Sequence, residues 1–177
     1  MDTFVINKSN IENIPDKLME NFKHKEFKNP EKCKEHCFSY LMLDRILKTV
    51  YKLKDTNIEF TNGKPRLKNN EKYFCISHSG EYTVICFSDH ECGIDIEQIK
   101  TRNYKAIAKR MKFKCNSPEE FYSQWTKYEA VYKLNQTAKS IKQLSFDNYF
   151  MTMVSSNPSE VFEIYIQNGN QFPNAAK

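Results

Sequence analysis

The chain has 177 residues and a formal net charge of +5, and 40% of its residues are hydrophobic and 28% charged. This length is enough to bury an ordinary core, in one compact domain or in two small halves that share it, and the composition excludes disordered and low-complexity classes. No signal-peptide pattern opens the sequence and no apolar stretch reaches the length of a membrane span, so we expect a cytoplasmic protein without membrane contact.

The first half of the chain predicts one long helix followed by a hairpin. Apolar residues recur at three- and four-residue steps over Pro30–Leu53, which is typical of an amphipathic helix. Turn residues at Asn62–Pro65 interrupt this pattern. Two β-rich runs follow, Tyr73–Ser77 and Tyr82–Ser88, and the Ser-Gly-Glu segment between them predicts a hairpin.

The second half predicts a strand with two carboxylates on one face. The segment Ile94–Glu97 alternates strictly, so both isoleucines face one side of a strand and both carboxylates share the other, hydrophilic side. Helices are predicted over Tyr104–Phe113 and Ser117–Leu134, the second with a serine N-cap, proline in its first turn and a capping-box glutamate. Strands are predicted over Leu144–Val154 and Val161–Gln167, with a turn at Asn168–Gly169.

Three segments in fixed order carry the most specific signal: Ile76–Gly80 (ISHSG), Gly93–Glu97 (GIDIE) and Trp125–Lys133 (WTKYEAVYK). Together with an upstream Gly63–Pro65, they resemble the phosphopantetheinyl transferases of the Sfp type over roughly residues 40–135. Each segment alone would be a weak match, but four matches in family order are specific.

The resemblance implies both a fold and an activity. The fold would be α+β, with two similar halves, residues 1–91 and 92–177, related by a pseudo-twofold axis, and with coenzyme A in the cleft between them. We expect a monomer, which would contain both sides of its own active site. The activity would be transfer of the 4′-phosphopantetheine group from coenzyme A to a serine of an apo acyl- or peptidyl-carrier protein, with release of 3′,5′-ADP. Such carriers serve fatty-acid, polyketide or nonribosomal peptide synthesis.

The resemblance assigns the second half to metal binding and catalysis. Residues matching Asp95, Glu97 and Glu129 bind Mg²⁺ in the family, and this hard cation suits carboxylate and phosphate oxygens. Glu129 would also help to deprotonate the incoming serine. Lys133, one helical turn later, would lie near the transferring phosphate.

The first half would hold the adenosine end of coenzyme A. By the resemblance, Lys64, Ser77 and His78 would contact its 3′-phosphate and ribose. A structural alternative exists for each group of residues, since a histidine after a β run often serves as a hydrogen-bonding turn residue. The paired acids could likewise be a solvated strand face, and Glu129 and Lys133 a helix ion pair.

Two departures from the family pattern affect the third segment. Tyr128 occupies a position where the family has lysine, and Leu134–Lys139 lacks the glycine-containing turn that usually follows Lys133. Because Tyr128 comes three residues after Trp125, we expect it to lean toward the apolar side of its helix. These departures motivate an alternative function, a non-catalytic relative that binds coenzyme A or a carrier protein.

Other classes of protein are less well supported by the sequence. The positive charge favours anionic partners, but arginine is scarce, the lysines are dispersed and no RNP-type or zinc-finger pattern is present, so we expect no nucleic-acid binding. Zinc is disfavoured, since Cys33 and Cys37 are spaced four apart on an amphipathic helix and are more typical of a core. Without an export signal, the cysteines are expected to be reduced thiols.

Overall fold

Strands and helices alternate irregularly in the computed structural model, which describes residues 1–9, 11, 15–69, 71–100 and 104–167. The helices are α1 (Asp16–Glu20), α2 (Pro30–Thr49), α3 (Tyr104–Met111) and α4 (Pro118–Leu134). The strands are β1 (Asp2–Asn7), β2 (Ile58–Thr61), β3 (Lys64–Leu67), β4 (Tyr73–Ser79), β5 (Tyr82–Ser88), β6 (Cys92–Gln98), β7 (Ser140–Phe146), β8 (Tyr149–Ser155) and β9 (Glu163–Gln167). The chain therefore has the predicted α+β class.

The strands form two main sheets and a separate hairpin. The first sheet has the order β4-β5-β1-β9, in which β9 runs parallel to β1 and the other pairings are antiparallel. The second sheet has the antiparallel order β6-β8-β7, and β2 pairs with β3. The predicted hairpin of β4 and β5 is confirmed. Because β9 returns to β1, the first sheet combines strands from distant parts of the sequence.

Two element boundaries differ from the prediction. Helix α2 ends at Thr49 rather than at Leu53, because Lys52 adopts a left-handed φ of 57°. The single strand predicted over Leu144–Val154 is wrong: a turn with Asp147 at φ 49° separates β7 from β8. Strand β1 and the hairpin of β2 and β3 were not predicted as strands. The predicted turn at Asn168–Gly169 lies outside the described residues.

Apolar side chains of the described residues form one core between α2 and the first sheet, a second between the two sheets, and two smaller clusters around α4. The first core includes Phe4 and Phe87 of the first sheet together with Leu43 and Ile46 of α2. Ile94 and Ile96 of β6 are buried in the layer between the two sheets, as their alternation predicts. No helix in the described part of the chain is both long and apolar enough to cross a membrane.

Helix α4 begins and ends as its sequence predicts. The side chain of Ser117 accepts a hydrogen bond from the backbone N–H of Glu120, and Pro118 occupies the first turn. Asn135 ends the helix in the left-handed region, with a φ of 58°. These signals fix which turns of α4 lie over the second sheet.

Gly93 lets α4 lie directly against β6. A Cβ atom at Gly93 would lie 2.2 Å from the carbonyl oxygen of Ala130 and 2.9 Å from the backbone nitrogen of Leu134, closer than van der Waals contact allows. The last turn of α4 therefore packs on the start of β6 at a distance that only glycine permits. This contact brings Lys133, which belongs to the same turn, within reach of β6.

Candidate active site

The serines of β4 and the acids of β6 lie in matching register where the two sheets meet. Ser77 donates a hydrogen bond through Oγ to Oδ1 of Asp95 at 2.8 Å, and Ser79 donates one to Oε2 of Glu97 at 3.1 Å. Each serine also accepts the backbone N–H of the residue that follows its acid, at 3.4 and 3.0 Å. Because side chains two apart on a strand share a face, the two motifs form one joint between the sheets.

Asp95 lies at the bottom of this joint, beneath α4. It is only 5% exposed, so the alternative interpretation of a solvated strand face is wrong for Asp95. Its Oδ1 atom accepts a 2.7 Å hydrogen bond from Nζ of Lys133, which also donates to the Ile94 carbonyl at 3.2 Å and to Ser77 at 2.9 Å. The ion pair offsets the cost of burying the carboxylate.

Lys133 remains an ammonium in this environment. Burial alone would lower the pKa of Lys133, but the attraction of Asp95 and of other neighbours, including Glu129, raises the pKa above its ordinary value. The Lys133 side chain therefore keeps a positive charge at a fixed position next to Asp95 of β6.

Glu97 is held by an indole as well as by a serine. Nε1 of Trp125 donates a 3.2 Å hydrogen bond to Oε1 of Glu97. The Trp125 ring is stacked with Phe121 at a centroid distance of 6.0 Å and with Tyr128 at 6.2 Å. Tyr128 also meets the edge of Phe113, although it stays 44% exposed. The expected apolar lean of Tyr128 is confirmed, and its ring supports the tryptophan that orients Glu97.

Glu129 faces the same acids from α4. Burial raises the pKa of the Glu129 carboxyl above its ordinary value, and repulsion by Asp95 and Glu97 adds to this, while Lys133 acts against it. The carboxylates of Asp95 and Glu97 thus both act on the carboxyl of Glu129. A carboxylate in this position is more basic than an ordinary glutamate.

The three carboxylates supply the donor set of a hard cation. Oxygen ligands from Asp95, Glu97 and Glu129 are those that Mg²⁺ prefers. The Oδ2 atom of Asp95 is buried and has no hydrogen-bond partner among the described residues. No three metal-ligating side chains in the described ranges are arranged to hold an ion as they stand. The residues fit the chemistry of a hard cation, and their predicted role as metal ligands stays a prediction.

A cleft of about 750 Å³ opens beside the Asp95 network. Its walls come from α2, the hairpin of β2 and β3, strand β4 and the C-terminal end of α4. Lys64, His78 and Lys133 all line it. The cleft therefore carries cationic and titratable groups from separate elements, as a site for a phosphorylated ligand requires.

His78 lies on the cleft wall beside an acid of α2. Its Nδ1 atom is 3.8 Å from Oε2 of Glu35, whose other oxygen pairs with Lys8. Burial lowers the pKa of His78 below its ordinary value, although the attraction of Glu35 acts in the opposite direction. The imidazole is therefore largely neutral at pH 7, and a nearby phosphate would favour its protonation.

A comparison with known proteins gives the family. The chain is 30% identical over 154 residues to the 4′-phosphopantetheinyl transferase Sfp of Bacillus subtilis (strain 168). This match covers 72% of the chain and 68% of Sfp. The chain belongs to the 4′-phosphopantetheinyl transferase superfamily. No family model matches it. The similarity extends over most of this chain.

Most of the residues predicted for phosphopantetheinyl transfer come together at the junction of β4, β6 and α4. The hydroxyl of Ser77 is committed to Asp95 and Lys133 inside the protein, whereas His78, the next residue, lines the cleft. Lys64 reaches the cleft from the hairpin, and its ammonium is bonded to Glu91. The assignment of Lys64, Ser77 and His78 to coenzyme A stays a prediction.

Several residues of this candidate site were missed from the sequence. Ser79 could have been found, because its spacing from Ser77 equals the spacing of the two acids on β6. Arg66 was missed because Asn62–Pro65 was predicted as a turn, so that the strand face shared by Lys64 and Arg66 became evident only in the structure. Glu91 carries no local signal, since only the fold places it against both cations.

Proposed function

We propose that the chain transfers the 4′-phosphopantetheine group of coenzyme A to a serine of an apo acyl- or peptidyl-carrier protein, as an Mg²⁺-dependent transferase of the Sfp type with holo-acyl-carrier-protein synthase activity. The observation that carries this proposal is the network of Ser77, Asp95 and Lys133 at the edge of a cleft with cationic walls. Coenzyme A carries a pyrophosphate and a 3′-phosphate, so its transferase must hold several negative charges and stabilise more during transfer.

Lys133 would stabilise charge at the reacting phosphate. Its pKa is raised by Asp95 against the effect of burial, so it keeps its proton. The three internal acceptors around Nζ fix its position at the cleft wall. A preorganised cation of this kind costs no reorganisation when negative charge develops on the β-phosphate.

Glu129 would take the proton of the carrier serine. Its carboxylate lies one helical turn before Lys133 on the same helix, which would place base and ammonium side by side at the reacting groups. The serine oxygen would bond to the β-phosphorus as its proton passes to the Glu129 carboxylate, directly or through water. The bridging P–O bond would break, and its electron pair would leave with 3′,5′-ADP.

Asp95, Glu97 and Glu129 would hold the metal. When bound, Mg²⁺ neutralises charge on the pyrophosphate oxygens. The chain's own contribution is orientation: Ser77 holds Asp95, and Ser79 with the Trp125 indole holds Glu97 from two sides. Coenzyme A would contact Lys64 and His78 through its 3′-phosphate.

We further propose that the two halves, residues 1–91 and 92–177, are related by a pseudo-twofold axis and act as a cytoplasmic monomer. Each half carries a long helix over a three-stranded antiparallel unit, α2 over β4, β5 and β1 and α4 over β6, β8 and β7, while β9 of the second half joins the first sheet. Both halves contribute to the cleft, which supports a site that one chain completes.

Release of 3′,5′-ADP tests the proposal. The chain should release it from coenzyme A in the presence of Mg²⁺ and an apo carrier, and EDTA should stop the release. A carrier whose acceptor serine is replaced by alanine is the matched control and should give none. Coenzyme A binding without carrier-dependent release would instead identify a non-catalytic relative.

A further inference from the structure

Two cations on the cleft wall share one buried carboxylate. Nζ of Lys64 lies 2.8 Å from Oε2 of Glu91, and Nη2 of Arg66 pairs with the other oxygen, Oε1. Lys64 and Arg66 are two apart on β3, so their side chains share one face of the hairpin. Both line the cleft of about 750 Å³. The unit of Lys64, Glu91 and Arg66 therefore spans the gap between this hairpin and the segment that leads into β6.

The backbone of Glu91 is held by the second sheet, while its side chain faces the two cations. It is buried, and its carbonyl oxygen accepts a 3.0 Å hydrogen bond from the backbone N–H of Ser156, at the end of the second sheet. Without this carboxylate, the two cations would repel each other at close range. Its charge lets Lys64 and Arg66 lie side by side.

Lys64 also ties the hairpin to α4. Its ammonium donates to the carbonyl oxygens of Cys92 and Leu134 at 3.5 and 3.4 Å, in addition to Glu91. Much of the donor capacity of Lys64 is therefore directed at the protein, whereas Arg66 keeps more donors for a ligand. A guanidinium carries five N–H donors, and the pairing through Nη2 does not use up this fork.

We propose that Arg66 is a further binding residue for a phosphate group of coenzyme A, and that Glu91 is a positioning residue that holds Arg66 and Lys64 on the cleft wall. This inference rests on the proposed function, since coenzyme A is its ligand. Two cations against one carboxylate leave the wall with an excess positive charge, and a guanidinium matches phosphate oxygens in a bidentate way.

A mutant cycle separates positioning from general stability. Glu91→Gln keeps the shape and removes the charge, and we expect it to weaken coenzyme A binding about tenfold in titration calorimetry, as for loss of one charge-assisted contact. In a Lys64→Met/Arg66→Met background the same substitution should cause no further loss, because Glu91 acts through these cations. Affinity for 3′-dephospho-coenzyme A, measured in parallel, tells whether the 3′-phosphate is the group bound.

Asp89→Asn is the matched control. Asp89 lies two residues before Glu91 and pairs with Lys72 at 2.6 Å, but it is 77% exposed. This variant makes the same change in net charge and should leave coenzyme A affinity within about twofold of wild type, since an exposed ion pair contributes little.

Each outcome bears on the proposal. If Glu91→Gln binds coenzyme A as tightly as wild type or more tightly, the proposal is overturned, because Glu91 would then only neutralise the positive charge of the wall. An equal loss of affinity in the wild-type and Lys64→Met/Arg66→Met backgrounds would also overturn it. If Glu91→Gln does not fold, Arg66→Gln decides: its side chain is 25% exposed, and unchanged affinity for coenzyme A would overturn the proposal. Failure of the wild-type chain to bind coenzyme A would overturn the proposed function itself.

Discussion

Removal of the Ser77 hydroxyl tests the joint between the two sheets. Ser77 is buried and donates to Oδ1 of Asp95 at 2.8 Å, while it accepts from Lys133 at 2.9 Å. Oδ2 of Asp95 already has no partner among the described residues. In Ser77→Ala, the carboxylate therefore keeps the ion pair and loses its hydroxyl donor at a site that solvent does not reach.

The magnitude follows from the charge and the burial of the acceptor. A hydrogen bond to a charged group contributes about 1.5–3 kcal/mol, and burial places Ser77→Ala near the upper end, at about 2–3 kcal/mol. For a chain of this size, that corresponds to a fall in melting temperature of about 4–12 °C. Urea denaturation with an unchanged m-value should give the same difference.

Ser79→Ala is the matched control for this measurement. Ser79 makes the equivalent bond to Glu97 at 3.1 Å, but Glu97 is only half-buried and keeps the Trp125 indole as a donor. We expect a loss of about 0.5–1.5 kcal/mol there. A loss below about 1 kcal/mol for Ser77→Ala, or an equal loss for both variants, would refute the reasoning. Weakened coenzyme A binding with unchanged stability would assign Ser77 to the ligand instead.

Three further substitutions test the rest of the site. Asp95→Ala leaves Lys133 without its counter-ion and should lower the free energy of unfolding by about 3 kcal/mol in urea; unchanged stability would contradict the ion pair. The pKa of Glu129 is higher in the folded state than in the unfolded state, so its ionisation costs stability as the pH rises through these two pKa values. Glu129→Gln removes this cost, and the difference in melting temperature, mutant minus wild type, should therefore be more positive at about pH 8 than at about pH 4. The same variant should slow single-turnover transfer far more than it weakens coenzyme A binding, and a defect in affinity alone would contradict a role as base. Tyr128→Lys should lower stability by about 1 kcal/mol through lost stacking on Trp125 and leave kcat/KM for one accepted carrier similar or raised; activity only in the mutant would mean that the natural chain is a degenerate relative.

Local patterns predicted the faces of β6 correctly, but they did not predict what covers them. The alternation of the GIDIE segment placed Ile94 and Ile96 in the core, and the structure confirms this. Alternation describes one strand, whereas the burial of Asp95 depends on α4, which lies on the acidic face because Gly93 admits the carbonyl of Ala130. Such long-range packing leaves no periodic trace in the sequence.

Turn and pairing information was similarly incomplete. The cap of α4 was predicted correctly because Ser117 and Pro118 act within one turn of chain. The boundary between β7 and β8 was missed because the left-handed φ of Asp147 requires no glycine. The two serines of the ISHSG segment were recognised as a motif, but their pairing with the two acids became evident only when β4 and β6 were placed side by side.

Intact-mass analysis of apo carrier proteins tests the central claim most directly. A small panel of acyl- and peptidyl-carrier proteins would be incubated with the wild-type chain, coenzyme A and Mg²⁺. The account predicts that at least one carrier gains the mass of a single phosphopantetheine, that EDTA abolishes the gain, and that a carrier without its acceptor serine never shows it. An unchanged mass for every carrier, under conditions where calorimetry shows that coenzyme A is bound, would contradict it.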